Sequence, residues 1–297
     1  MIPRRKDLLA AVAVGMGLFL GAGAAWAQAG APISNEQIVQ ILASPDRSAA
    51  DRTNDLRRKP EQLLGFIGVH PGMVALDLSA AGGYTTELLA RAIGPTGKVY
   101  GQSRPPRDAN SPPARPPAAP EGNSHPTATP AAPAAAPVAP AAPPRTSPVA
   151  LADRDAKLRG AGIAAAPIVA VSRPFEDPVP PELAAGSVDI VTLMFNYHDL
   201  GHMGVDRAAM NRAVFGVMKP GGIYVIADHS GRAGTGISEA GTLHRIEEAF
   251  LRQEIESAGF RVLAEGNFLR NPNDPRDKNT PDPPQPKDEF VLKFVKP

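Results

Sequence analysis

Cysteine is absent from the 297 residues, aromatic residues make up only 5% of them, and neither sign of charge predominates, since the formal net charge is +1. The absence of cysteine excludes disulfides, cysteine nucleophiles, cysteine-ligated zinc and lipid attachment through cysteine. The balance of charge excludes a broad basic surface, so no nucleic-acid partner is expected. Long apolar runs are also missing, with one exception at the amino terminus.

That exception is typical of a signal peptide. Basic residues at 4–6 precede an apolar run from Leu8 to Leu20, and AWAQA follows at 25–29. We therefore predict a signal peptide over residues 1–29, cleaved after Ala27 or Ala29, and an exported protein, periplasmic or secreted, with no stable membrane insertion after cleavage. The alternatives are an uncleaved anchor and a twin-arginine signal, although Asp7 stands where that signal usually has a large apolar residue.

A second segment interrupts the chain at about 104–148. It contains 15 of the 34 prolines, mostly alternating with alanine. Such a composition cannot build a packed face, so it predicts an extended, solvated insertion. We interpret it as an insertion within one domain, residues 30–297, because the alternation of strands and helices resumes after it. A linker between two domains and a Pro-rich binding motif are the alternatives.

The remaining sequence alternates strands and helices, which predicts an α/β fold with a parallel sheet. Two final strands follow each other without a helix between them, so they should pair as a hairpin and put one antiparallel strand in the sheet. The predicted strands are 72–79, 97–103, 167–172, 188–199, 221–230, 260–269 and 288–297, and the predicted helices are 35–43, 51–65, 84–93, 149–160, 205–218 and 242–258.

Three stretches in this order carry a resemblance: VALDLSAAGGYTTELLA at 74–90, SVDIVTLMFNYHD at 187–199, and VFGVMKPGGIYVIADHS at 214–230. The chain resembles the class I S-adenosylmethionine-dependent methyltransferases. The resemblance implies a Rossmann-like, seven-stranded, mostly parallel sheet with an antiparallel last strand and helices on both faces. More narrowly, DRTNDLRRKPEQLLGFIGVHPGM and TLHRIEEAFLRQEIESAGF look like a family of exported bacterial predicted methyltransferases.

The resemblance implies that S-adenosyl-L-methionine is the cofactor and that a methyl group is transferred to an unidentified small-molecule or protein acceptor in the cell envelope. The family's loop pattern D-x-G-x-G-x-G overlays on Asp77, Ser79, Ala81 and Gly83, with Gly82 as an extra glycine. Small residues let the backbone approach a ligand, and glycine permits positive φ. The alternative is a non-catalytic binding protein that kept the fold with a degenerate cofactor loop.

Two further cofactor contacts follow from the same resemblance. Gln102 stands at the end of the second strand, where the family usually has an acid for the ribose hydroxyls, and Glu176 follows the third strand, near the adenine. An amide binds a hydroxyl without the charge assistance of a carboxylate, so the contact from Gln102 is expected to be weaker. A solvated loop acid is the alternative for Glu176.

The predicted catalytic group is Asn196, Tyr197, His198 and Asp199 at the end of the fourth strand, where the resemblance implies that the methyl group is presented. His198 is the proposed base and Asp199 its orienting partner. The alternative is a structural strand end with Tyr197 packed inside. Asp228 and His229 end the neighbouring strand and, with His198 and Asp199, form an alternative metal set. His244 is interpreted as part of an exposed helical face.

Overall fold

The computed structural model describes residues 30–105, 145–281 and 283–297. The predicted signal peptide at 1–29 and most of the predicted insertion at 104–148 lie outside the described residues. Of the predicted insertion, Ser147 and Pro148 already belong to a helix. Within the described ranges, no helix combines the length and the apolar character that crossing a bilayer requires.

Three short helices precede the sheet: α1 (Asn35–Ala43), α2 (Ala49–Arg58) and α3 (Pro60–Ile67). The single helix predicted over 51–65 is therefore wrong. Lys59 breaks it with a left-handed φ of 44°, because the ring of Pro60 disfavours a helical conformation at the residue before it. Proline itself suits the first position of a helix, where no amide hydrogen is needed, and Pro60 accordingly begins α3.

Seven strands form one sheet in the order β3-β2-β1-β4-β5-β7-β6. Neighbours pair in parallel except β7, which is antiparallel to both β5 and β6, so the predicted reversed strand and terminal hairpin are confirmed. The strands are β1 (Val74–Leu78), β2 (Lys98–Ser103), β3 (Ile168–Ser172), β4 (Val188–Met194), β5 (Met218–His229), β6 (Arg261–Gly266) and β7 (Glu289–Val295).

Side chains alternate across the central strands and fill a core on each face of the sheet. Ala75 and Ile190 belong to the core that includes α1, α3, α4 and α5, whereas Leu76 and Val191 belong to the core that includes α6, α7 and α8. Helices therefore cover both faces, as predicted. These helices are α4 (Tyr84–Ile93), α5 (Ser147–Gly160), α6 (Tyr197–His202), α7 (Arg207–Val217) and α8 (Glu248–Ser257).

Two of the differences between the predicted and observed elements matter to the site. The fourth strand, predicted to reach residue 199, ends at Met194, and Phe195 turns the chain with a φ of 60° into α6. The helix predicted over 242–258 begins only at Glu248. Before it, Ile246 pairs with the end of β5 through the amide of Gly231 and the carbonyl of His229. This pairing keeps the segment extended and removes His244 from the helix.

Candidate active site

The candidate site lies at the carboxyl ends of β1, β4 and β5. In the strand order, β1 stands beside β4, so the sheet reverses its direction of winding between them. Open α/β sheets bind ligands at this switch point, beyond the carboxyl ends of the strands. The predicted cofactor loop follows β1, and the predicted catalytic residues follow β4, so the fold brings the two groups together.

Asp77 ties three elements together beneath the loop. It is 2% exposed, and its carboxylate accepts hydrogen bonds from the hydroxyls of Thr86 in α4 and Thr192 in β4, at 2.6 and 2.7 Å. Burial raises the pKa of Asp77 to about 6, although both hydroxyl hydrogen bonds act in the opposite direction. These two hydrogen bonds hold the Asp77 side chain between α4 and β4, beneath the loop.

The loop has a left-handed backbone at alternate positions. Ser79, Ala81 and Gly83 have φ values of 55°, 48° and 78°, and these are the three positions at which the D-x-G-x-G-x-G pattern has glycine. Gly83 is also tightly packed, because a Cβ there would lie 2.7 Å from Leu151. Ala81 and Gly82 are exposed. The loop thus keeps the conformation that glycine favours while two of its residues are not glycine.

Replacing Ala81 with glycine is expected to raise the free energy of unfolding. A residue other than glycine in the left-handed conformation destabilises the folded state by roughly 1–2 kcal/mol. Glycine also gives the unfolded chain more conformational freedom, which offsets about 0.4–1 kcal/mol of the improvement, so the net increase in the free energy of unfolding is about 0.5–1 kcal/mol. Urea denaturation measures this increase, provided that the dependence of the free energy of unfolding on urea concentration keeps the same slope. Gly82→Ala is the matched control, since Gly82 has no positive φ and open space around it. A lower midpoint for Ala81→Gly contradicts the argument.

A chain of hydrogen bonds joins the loop to the residues after β4. The hydroxyl of Ser79 donates to Oδ1 of Asn196 at 2.6 Å, and Nδ2 of Asn196 donates to Oδ2 of Asp199 at 2.7 Å. Each of these side chains is only partly buried. Asn196 therefore couples the conformation of the loop to the orientation of the Asp199 carboxylate.

The other two predicted cofactor residues, Gln102 and Glu176, lie outside this loop and differ in their burial. Gln102 is fully buried behind the loop, where Oε1 accepts from the amide of Ser79 and Nε2 donates to the carbonyl of Arg173. With both ends of its amide engaged by backbone, Gln102 fits a supporting role better than the expected contact with ribose. Glu176 is half-buried in the turn after β3, a turn that an ion pair between Arg173 and Asp177 stabilises.

His198 is held between two carboxylates. It is 2% exposed, its Nδ1 lies 2.6 Å from Asp228, and its Nε2 lies 3.3 Å from Asp199. Burial alone would lower the pKa of His198, but the two carboxylates outweigh it and raise that pKa to about 10. At neutral pH, without a bound metal ion, the ring is therefore held in the imidazolium form by the two carboxylates. Both ring nitrogens face carboxylates, and the role of His198 as the base stays a prediction.

Asp199 is shared with two further histidines. Nδ1 of His244 lies 3.1 Å from Oδ1 of Asp199, and Nδ1 of His202 lies 3.8 Å from the same oxygen. The His244 side chain is 13% exposed, and partial burial lowers its pKa despite the nearby carboxylate. His244 is thus neutral and partly exposed, and the interpretation of it as part of an exposed helical face is wrong, because α8 begins only at Glu248.

Tyr197 is a core residue. It is fully buried, its hydroxyl donates to Glu254 at 2.9 Å, and it accepts from Nδ2 of Asn211 at 2.9 Å. Arg207 completes this group with a bidentate contact to Glu254. The expected catalytic role of Tyr197 is therefore replaced by the packing role that was its alternative.

Asp228 and His229 do not form the predicted metal set with His198 and Asp199. Both are almost fully buried, and the carboxylate of Asp228 accepts hydrogen bonds from the amides of His198 and His229 in addition to the His198 ring. The ring of His229 lies 3.0 Å from Glu289. Among the described residues, the group whose ligand atoms converge is instead His198, Asp199 and His244.

Arg58 is the other residue that sequence reasoning missed. Its guanidinium lies over the rings of Phe195 and Tyr84, at 4.7 and 5.4 Å from their centroids. Its Nε is buried and lacks a partner among the described residues, and no carboxylate pairs with it there. Burial and, to a smaller extent, the adjacent charge of Arg57 lower the pKa of Arg58 to about 10. The run of three cations before Pro60 is the sequence signal for this position.

The chain matches no family model and no curated protein sequence. Two solved structures have the same fold over most of the chain. A SAM-dependent methyltransferase from Aquifex aeolicus is 16% identical, with 89% of this chain and all of that chain covered and a TM-score of 0.50. The [4+2]-cyclase SpnF is 13% identical, with 90% and 97% covered and a TM-score of 0.50. The chain has the fold of these proteins, and its chemistry has to be argued from its own site.

Proposed function

We propose that the chain transfers a methyl group from S-adenosyl-L-methionine to a small-molecule or protein acceptor. The observation that carries this proposal is the chain of hydrogen bonds from Ser79 through Asn196 to Asp199. Methyl transfer requires a bound donor and an aligned acceptor side by side, and these three residues link a predicted donor loop to a cluster of acid and histidine side chains. Both lie at the edge of the sheet where such folds bind ligands.

Arg58 supports the donor half of the proposal. The cofactor has an amino-acid tail that ends in a carboxylate, and a guanidinium is the side chain that binds a carboxylate through two parallel hydrogen bonds. Arg58 has no carboxylate partner among the described residues, and it lies beside Tyr84 at the start of α4 and Phe195 at the end of β4. We therefore propose that Arg58 binds the carboxylate of the cofactor.

The acceptor half rests on Asp199 and His244. Their side chains are 24% and 13% exposed, so an acceptor can reach them, whereas His198 is closed off behind them. Displacement at the methyl carbon needs a correctly placed nucleophile and, for a hydroxyl acceptor, loss of its proton. Asp199 and the neutral ring of His244 are the groups that would contact this acceptor.

Calorimetry with S-adenosylhomocysteine and S-adenosylmethionine on the full chain tests the donor half. Arg58→Met is expected to weaken binding about ten- to a hundredfold, because a hydrogen bond to a charged group contributes about 1.5–3 kcal/mol. Arg52→Met is the matched control: it lies in the same helix, is exposed, and bonds only to backbone carbonyls.

Two outcomes separate the proposal from its rivals. Absence of both binding heat and thermal stabilisation with either ligand would overturn it. Binding that depends on Arg58, without methyl transfer to any acceptor in an extract incubated with labelled cofactor, would favour the non-catalytic binding protein.

We further propose that the chain acts in the cell envelope. The support is the pattern of a basic start, an apolar run and AWAQA over residues 1–29. Sequencing the amino terminus of the protein from the host's envelope fraction tests it, with Gln28 or Gly30 expected as the first residue. An intact Met1 in a cytoplasmic fraction contradicts it.

A further inference from the structure

Three side chains of the histidine cluster converge on one point. His198, Asp199 and His244 each offer a ligand atom, and these atoms all lie within 4.8 Å of one another. Nε2 of His198 and Nδ1 of His244 lie 3.3 and 3.1 Å from Oδ1 of Asp199. We propose that these residues bind one divalent transition-metal cation, of which Zn²⁺ and Mn²⁺ are the types that two imidazoles and a carboxylate suit.

The spacing of the ligand atoms fits a bound cation. Zinc lies about 2.0–2.2 Å from its nitrogen and oxygen ligands in tetrahedral sites, which puts neighbouring ligand atoms roughly 3.3 Å apart. The two distances to Asp199 are 3.3 and 3.1 Å. Without metal, a ring N–H of each histidine can donate to Oδ1 of Asp199, whereas a cation at the centre would displace the protons from the two nitrogens and bind all three atoms together.

The residues around the ligands are arranged as they are around metal sites. Ligand histidines usually donate their second ring nitrogen to a carboxylate, which fixes the ring. Asp228 lies 2.6 Å from Nδ1 of His198 and also accepts from the backbone amide of His198, so Nε2 is directed at Asp199. Asn196 occupies Oδ2 of Asp199 at 2.7 Å and leaves Oδ1 for the histidines. The contacts of Asp228 and Asn196 are observed separately from the convergence of the three ligand atoms, so they are independent support for the metal site.

The proposed site has an open side. Three protein ligands with a free position are the pattern of catalytic rather than structural zinc. His202, whose side chain is 36% exposed, borders the group with its Nδ1 3.8 Å from Asp199. A cation here would bind an oxygen atom of an acceptor, favour the loss of its proton and hold it in place. The inference shares Asp199 and His244 with the acceptor half of the proposed function, but it does not depend on binding of the methyl donor, because neither Arg58 nor the cofactor loop takes part.

Titration of the EDTA-treated full chain with ZnCl₂ tests the site by calorimetry. We expect one Zn²⁺ per chain, with His244→Gln and Asp199→Asn each weakening binding at least tenfold. His70→Gln is the matched control, because His70 lies in the segment before β1 and is not part of the metal group. Circular dichroism of the metal-free variants, equal to that of the parent chain, shows that the losses are not unfolding.

Binding of Co²⁺ provides a second measurement, and its readout does not depend on enzyme activity. Co²⁺ in place of zinc gives visible absorption bands whose intensity reports its coordination, and these bands are expected for the parent chain and His70→Gln but not for His244→Gln. Two results overturn the proposal: no binding of Zn²⁺, Mn²⁺ or Co²⁺, or binding that His244→Gln leaves unchanged. Because S-adenosylhomocysteine binding is measured in the same metal-free protein, failure of this proposal and failure of the methyltransferase proposal are distinguishable.

Discussion

Replacing Asp228 with alanine is expected to lower the free energy of unfolding of the metal-free protein by about 3–5 kcal/mol, the range for removing one partner of a buried ion pair. Asp228 has no exposed surface, and its partner His198 is 2% exposed. Its carboxylate accepts from the His198 ring and from the amides of His198 and His229. Alanine would leave Nδ1 of the buried imidazolium and two buried amides without acceptors, although Asp199 would remain beside Nε2.

Urea denaturation of matched variants measures this effect. Asp228→Asn is expected to cost less, because it keeps the shape and one acceptor oxygen while losing the charge. Asp177→Ala is the control: its carboxylate pairs with Arg173, but its side chain is 58% exposed, and exposed pairs contribute about 0–1 kcal/mol. A cost below about 1 kcal/mol for Asp228→Ala would mean that the His198 ring is neutral and held by packing alone.

The sheet could be predicted from the sequence because its strands carry strong local signals. β1 and β4 are nearly continuous apolar runs, and the two last strands lack an intervening helix, so their hairpin and the reversed β7 follow. The loop after β1 could be located as well, since its three left-handed positions coincide with the pattern of small residues. These features depend on residues that are close together in the sequence, so a single sequence is enough to predict them.

The site could be predicted only in part, because its remaining members are fixed by distant contacts. The residues after β4 were located, but Tyr197 packs inside since its hydroxyl meets Glu254 and Asn211 from two other helices. His244 lies in a stretch with helical periodicity, and its place beside Asp199 depends on the pairing of Ile246 with β5. Arg58 gains its position from the aromatic rings of Phe195 and Tyr84, which lie far from it along the chain.

The segment that carries His244 is fixed by its neighbour Arg245. Arg245 is fully buried and makes two hydrogen bonds to Asp274, at 2.8 and 3.2 Å. It also donates to the carbonyls of Ser230 and Lys278. One side chain therefore joins the end of β5, the extended segment before α8 and the loop that precedes β7.

Arg245→Met is expected to lower the free energy of unfolding by about 3–5 kcal/mol, since Asp274 would keep a buried carboxylate without its cation. Hydrogen exchange in residues 271–281 and 283–288 should rise by more than in the distant strands β1 and β2, because local contacts of that loop are lost first. Arg232→Met is the matched control, as its pair with Glu239 has an arginine side chain that is 51% exposed; its cost should stay below about 1 kcal/mol. Equal urea midpoints and equal exchange for the two variants would contradict the role of Arg245 in holding His244 beside Asp199.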